Sequence, residues 1–143
     1  MLITRETDYA LRILRSLAQG SCLTVGELAE KETLPLKFTY KIIKKLEKAG
    51  IIRIIRGVNG GCQLEADLHE VSLYDLVGAV ETNARLAACM NADYQCEWRD
   101  KSGTPCNVHA QLARVQQAID REFRSRSLLL DIIWGKRNNF FWI

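Results

Sequence analysis

The sequence predicts a mainly α-helical fold with one small β-hairpin, on three observations. Apolar residues recur at helical spacing in several separate segments. The longest β-branched run, "IIRIIRGVNGGCQL", has glycines at its centre. Hydrophobic residues are 48% of 143, enough for one core plus an appendage but not for two full domains.

The elements follow in chain order. "ETDYALRILRSLAQG" sets Ala10, Leu14 and Leu17 beside Leu11, Ile13 and Ala18 and ends on Gly20, a favourable stop, so a first helix is expected. In "TVGELAEKE", Thr24 and Glu27 form a capping-box pair, each side chain satisfying an orphaned amide, and start a short second helix near Val25. "LPLKFTYKIIKKLEKAG" opens with a helix-compatible proline, turns Thr39, Ile42 or Ile43, and Leu46 inward, and stops at Gly50. A hairpin follows, its tip at Asn59, Gly60 and Gly61, where positive backbone dihedrals are cheap. Ser72 and Asp75 repeat the capping pair before a short amphipathic helix. "NVHAQLARVQQAIDREFRSR" then carries Val108, Leu112, Val115, Ile119 and Phe123 along one face at alternating fours and threes. "SLLLDIIWG" reads as a closing helix, and "NNFFWI" is too apolar to be left wholly in water.

Three helices and a basic hairpin make a winged helix-turn-helix. The charge pattern agrees. Lys37, Lys41, Lys44, Lys45, Lys48, Arg53 and Arg56 crowd the third helix and hairpin against Glu47 alone, while the whole chain carries only +3. Such a stripe is the footprint of a polyanion-binding surface, and double-stranded DNA is the expected partner; a solvated bundle face is the alternative. Lys37, Thr39, Tyr40 and Lys41 are candidates for groove contacts, and Lys44, Lys45 and Lys48 for phosphate. Arg56 and Asn59 belong to the wing.

The apolar stripe on the long helix has no cover left in so small a domain. Its expected cover is the same helix of a second subunit, giving a homodimer suited to a pseudo-palindromic operator; packing against the winged helix is the alternative. The chain thus divides into a DNA-binding domain at 1–66, a connecting helix with a cysteine-rich loop at 67–105, and a dimerisation helix with a closing helix at 106–143.

Other classes lack support. No paired acid-base arrangement suggests an enzyme, and His69 stands alone in "ADLHEV". "GVNGG" sits in a hairpin rather than between a strand and a helix, so it is no phosphate loop. No apolar run approaches the roughly 20 residues of a membrane span, and the N-terminus has acids where a signal peptide needs a basic start; no membrane association and a cytoplasmic location are expected.

"CMNADYQCEWRDKSGTPCNVH" holds Cys89, Cys96, Cys106 and His109. An odd number of cysteines without an export signal points to metal binding or redox chemistry rather than a disulfide framework, with Cys22 and Cys62 as spare thiols. The wide gaps lack the paired knuckles of structural zinc and are compatible with an iron-sulfur cluster; plain thiols remain the alternative.

With "ITRETDYALRIL", "LPLKFTYKIIKKLEKAGII", the wing "RGVNGGCQL" and "VSLYDLVGAVE", these features resemble the IscR/NsrR group of bacterial winged-helix regulators over nearly the whole chain. The resemblance implies a repressor whose operator affinity is controlled by an iron-sulfur cluster responding to redox state, nitric oxide or iron supply. It implies cluster ligands at Cys89, Cys96 and Cys106. For the fourth ligand it offers two matches: His109, three residues past the last cysteine, with a [2Fe-2S] centre, and Asp8, given by a partner subunit's first helix, with [4Fe-4S]. His109 is preferred of the two. The gaps between cysteines, six and nine residues, exceed the group's usual five and five. Zinc or bare-thiol sensing, and a cluster or metal carrier docking an acidic partner, are the rival readings.

Overall fold

A computed structural model describes residues 3–135, excluding the side chains of Arg126 and Ser127. The expectation for "NNFFWI" lies outside the described residues.

Helix α1 (Arg5–Leu17) starts where the Thr4 side chain accepts the Glu6 amide. Helix α2 (Val25–Lys31) begins at the expected Thr24 and Glu27 capping box. The turn to α3 (Leu36–Lys48) holds Thr33 at φ 54°, a left-handed conformation that a β-branched side chain opposes. Strands β1 (Ile52–Ile55) and β2 (Gly61–Leu64) pair antiparallel, Ile52 opposite Leu64 and Ile55 opposite Gly61.

The wing glycines serve a purpose other than the expected one. Positive φ falls on Gly57, at 114°, and on none of Asn59, Gly60 and Gly61. Gly60 and Gly61 instead permit close backbone approach. A Cβ would lie 2.3 Å from the Ile55 carbonyl oxygen at Gly60, and 2.8 Å from the Leu23 backbone at Gly61. That approach lets Leu23 and Cys62 exchange backbone hydrogen bonds of 2.6 and 3.0 Å, strapping the wing to the segment before α2.

Helix α4 (Leu73–Val80) has the expected Ser72 and Asp75 capping box. A 3-10 turn at Ala88–Met90 and a short α5 (Glu97–Ser102) interrupt the cysteine segment before α6 (Asn107–Phe123) and α7 (Arg126–Trp134). Sequence periodicity did not predict α5, because all of its residues are exposed and it has no apolar face to betray it.

The core joins α1, α2, α3 and α4 to the base of the wing. Ile13, Leu14, Leu28, Ile42, Leu46 and Leu76 are fully buried in it, each worth about 1.5–3 kcal/mol relative to exposure. Leu129 and Ile133 of α7 return to this same core. The stripe on α6 is divided: Phe123 packs against the core, whereas Val108 and Val115 are 67% and 49% exposed. Between residues 81 and 115 no residue is buried.

Glu81, at the exit of α4, fastens that helix to the start of α1. Its carboxylate accepts the Thr4 amide (2.9 Å), the Thr4 hydroxyl (2.9 Å) and the Thr7 hydroxyl (2.5 Å). Burial pushes this carboxyl up, but the bonds from Thr7 and Thr4 outweigh it and hold Glu81 below the usual carboxylate range.

Candidate nucleic-acid interface and cysteine cavity

The basic face divides by what each cation already touches. Lys37 and Lys48 on α3 and Arg56 on the wing are exposed, with no acidic partner among the described residues. Lys44 is 70% exposed beside Glu47 at 3.3 Å, and Arg53 pairs with Glu65 at 3.2 Å. Lys41 is half exposed and pairs with Glu6 of α1. Lys45 is turned inward: it pairs with Glu6 and donates to the Val80 carbonyl. The two ammonium groups hold Glu6 below the usual carboxylate range against some desolvation.

Tyr40 is 53% exposed on the open face of α3, beside half-exposed Leu36 and Phe38; Phe38 meets Tyr9 edge-on at 6.4 Å. Asn59 is exposed on the wing, where Val58 projects wholly into solvent. Thr39 differs from its expected role. It is fully buried and its hydroxyl donates to the Pro35 carbonyl at 3.1 Å, so it cannot reach a base edge; only its inward placement stands. Glu6 and Lys45 were not expected to meet, because their partnership joins residues far apart in sequence and no local pattern encodes it.

The second site is a cavity of about 300 Å³ between the loop and the start of α6, lined by Cys89, Cys96, Cys106 and His109 with Tyr94 and Arg99. Cys89 comes from the 3-10 turn, and Cys96 precedes α5. Cys106 caps α6, its sulfur accepting the His109 amide at 3.4 Å, which puts that sulfur at the positive end of the helix dipole. The fold thus gathers the three loop cysteines and the histidine around one space. Asp8 lies elsewhere, on the α1 surface, paired with Arg12 at 3.1 Å and bordering a groove with Ile132 of α7.

Three thiols and an imidazole are a soft donor set suited to iron-sulfur or zinc chemistry. Among the described residues no three His, Cys, Asp or Glu side chains converge closely enough to grip a single ion. Ligands around a shared cavity rather than a shared point fit a group with several metal atoms better than one tetrahedral ion. The other two cysteines stand apart. Cys62 is buried on β2, and burial pushes its thiol up to about 11; Cys22 is exposed before α2. His69, exposed, pairs with Asp67 at 2.8 Å and stacks on Trp134.

Comparison with known proteins gives a consistent result. A family profile described as Rrf2, iron-dependent transcriptional regulator, matches residues 3–132. Protein aau3 of Rhizobium meliloti is 31% identical over 121 residues, covering 82% of this chain and 76% of that protein. The HTH-type transcriptional regulator IscR of Vibrio campbellii is 26% identical over 112 residues, covering 76% of this chain and 64%, just under two thirds, of its own length. Among solved structures, the oxidized form of Staphylococcus aureus CymR superposes with a TM-score of 0.69 at 21% identity, covering 98% of this chain and all of that one. That likeness establishes the winged-helix fold. Among the described residues, no helix is long and apolar enough to cross a membrane.

Proposed function

This chain belongs to the Rrf2 family of transcriptional regulators, and from that premise we propose that it is a homodimeric repressor whose affinity for a pseudo-palindromic operator is set by an iron-sulfur cluster. Cys89, Cys96 and Cys106 hold the cluster, with His109 as fourth ligand and a [2Fe-2S] centre preferred to Asp8 and [4Fe-4S]. The observation that supports this assignment is the shared cavity, which Cys89, Cys96, Cys106 and His109 of one chain line together. When bound, such a group supplies a redox-active centre whose charge and stability respond to oxidation, nitric oxide or iron supply.

This chain's residues turn occupancy into DNA affinity. Cys106 and His109, one turn apart at the head of α6, fix where that helix begins, while Cys89 and Cys96 draw the loop against it. Val108 and Val115, open on α6, meet the same face of a second copy. Glu81 carries the position of the linker to α1, and Glu6 carries it on to α3 through Lys45. A coupling of about 1–3 kcal/mol through this path would change operator affinity from several-fold to over a hundredfold. On DNA, Lys37, Tyr40 and Lys41 face the major groove, Lys44 and Lys48 meet phosphate, and Arg56 and Asn59 reach from the wing. In this reading residues 1–66 bind DNA, 67–105 carry the sensing loop and 106–143 pair the subunits, α7 also closing the DNA-binding core.

A second reading is favoured by one fact: Cys89, Cys96 and Cys106 are all partly exposed, within reach of a solvent-borne oxidant. It is a regulator of the same fold that senses through zinc or thiol oxidation. Anaerobic purification separates the two. Brown protein with matching iron and sulfide supports the cluster, and a changed visible spectrum in His109→Ala but not Asp8→Ala supports the fourth ligand. Colourless protein that iron and sulfide cannot colour would replace the cluster reading with the second.

A further inference from the structure

Glu6 stands in the first turn of α1 and engages two lysines of the recognition helix at once, Lys41 on one carboxylate oxygen and Lys45 on the other. The two partners are not equivalent. Lys45 is only 26% exposed and has a second acceptor in the Val80 carbonyl, so leaving Glu6 would strand an ammonium in a largely closed site. Lys41 is 53% exposed, and Glu6 is its one ion-pair partner among the described residues. It shares the open side of α3 with Tyr40, Lys37 and Lys44.

A carboxylate that receives the ammonium of a DNA-facing lysine occupies the place a phosphodiester oxygen would take, with the same charge and acceptor chemistry. Resting on the DNA-binding reading above, but with Lys41 assigned to the phosphate at the rim of the groove rather than to a base edge, we propose that Glu6 is an internal competitor of DNA phosphate: on binding, Lys41 exchanges Glu6 for a phosphate oxygen while Lys45 stays as the anchor. The lysine therefore brings less to a chance phosphate contact than a free lysine such as Lys37. Glu6, left beside the DNA backbone within the ~10 Å Debye length at 0.1 M salt, opposes any duplex that does not recover the loss through groove contacts. Glu6 is in this sense a specificity-determining residue, lowering the background of sequence-independent binding.

The test uses the full chain and a fluorescein-labelled 30-base-pair duplex of arbitrary sequence, with affinity read by anisotropy across a potassium chloride series. Glu6→Gln is expected to tighten this binding about two- to fivefold, the range of an exposed ion pair. It should steepen the logarithmic salt dependence by up to about 0.9. Lys41→Gln in the Glu6→Gln background is expected to erase the gain. Unchanged or weaker binding by folded Glu6→Gln, with the wild-type slope, would overturn the proposal and leave Glu6 a strut between α1 and α3. Wild-type protein that shows no salt-dependent duplex binding would instead bring down the DNA-binding reading and this inference with it. Should Glu6→Gln not fold, lysine ammonium NMR on wild-type protein decides: duplex should shift the Lys41 signal and leave Lys45 in place, and an unmoved Lys41 overturns the exchange.

Discussion

The winged-helix body and the cysteine segment are stabilised in opposite ways. From α1 to α4 the helices and the base of the wing share one core, with Ile13, Leu14, Leu46 and Leu76 fully buried. From residue 81 to 115 nothing is buried, and Tyr94 and Trp98 are 43% and 55% exposed. The body holds its shape from its own sequence. The segment buries too little apolar surface to offset the entropy of ordering its backbone, and on the function proposed above a ligand in the cavity and a second copy along α6 supply the rest. The division suits the sensing role proposed above, in which the part that changes is coupled to the part that does not.

The largest test of the contrast is in the body. Leu14→Ala should cost about 3–5 kcal/mol in urea unfolding, the range for a fully buried leucine. A cost below about 1 kcal/mol would mean that the core is looser than its burial indicates. Next comes the joint between the regions. Glu81→Ala leaves the Thr4 and Thr7 donors without their charged acceptor and should cost about 1.5–3 kcal/mol at neutral pH. Because the folded Glu81 carboxyl lies below its unfolded value, its contribution is complete above about pH 4.3, the ordinary glutamate value, and is lost as pH falls through the folded value. The stability of Glu81→Gln should accordingly fall less than that of the wild type on acidification below about pH 5, and parallel acid limbs would remove this carboxylate from the account.

A smaller effect, of opposite sign, is expected at the turn into α3. Thr33→Asn, which tolerates the left-handed conformation, should stabilise by about 0.5–1 kcal/mol in the same urea assay. The smallest belongs to the segment itself: Trp98→Ala should change stability by less than about 0.5 kcal/mol despite removing its largest side chain. A loss as large as that of Leu14→Ala would show that the segment has a core of its own and would break the comparison.

What was legible in the sequence follows the same boundary. Both capping boxes, the hairpin, the buried faces of α1 and α3, and the long α6 were readable because each rests on neighbours within a few residues. Cys89, Cys96, Cys106 and His109 were recognisable as candidates by residue type and spacing, and their shared cavity is what the fold adds. Three things escaped for a common reason. The inward turn of Lys45, the hold of Glu6 on two lysines and the true purpose of Gly60 and Gly61 all depend on groups distant in sequence or on backbone proximity, which no local periodicity records. At Thr39 helical spacing and position at the start of α3 point to different roles, inward packing and a groove contact, and its burial agrees with the spacing.

The strap between Leu23 and Cys62 has a kinetic consequence. A wing hung on a free hinge would have to be ordered during the encounter with DNA, and that ordering would be charged against affinity each time. Here Gly61 lets the hairpin lie against the segment before α2, so its base is set when the chain folds. The arm that carries Arg56, Val58 and Asn59 is thus presented ready-made. On the wing contact proposed above, the rate of capture would be governed by charge steering and orientation rather than by loop folding, and differences between DNA sites would appear mainly in how long the complex lasts.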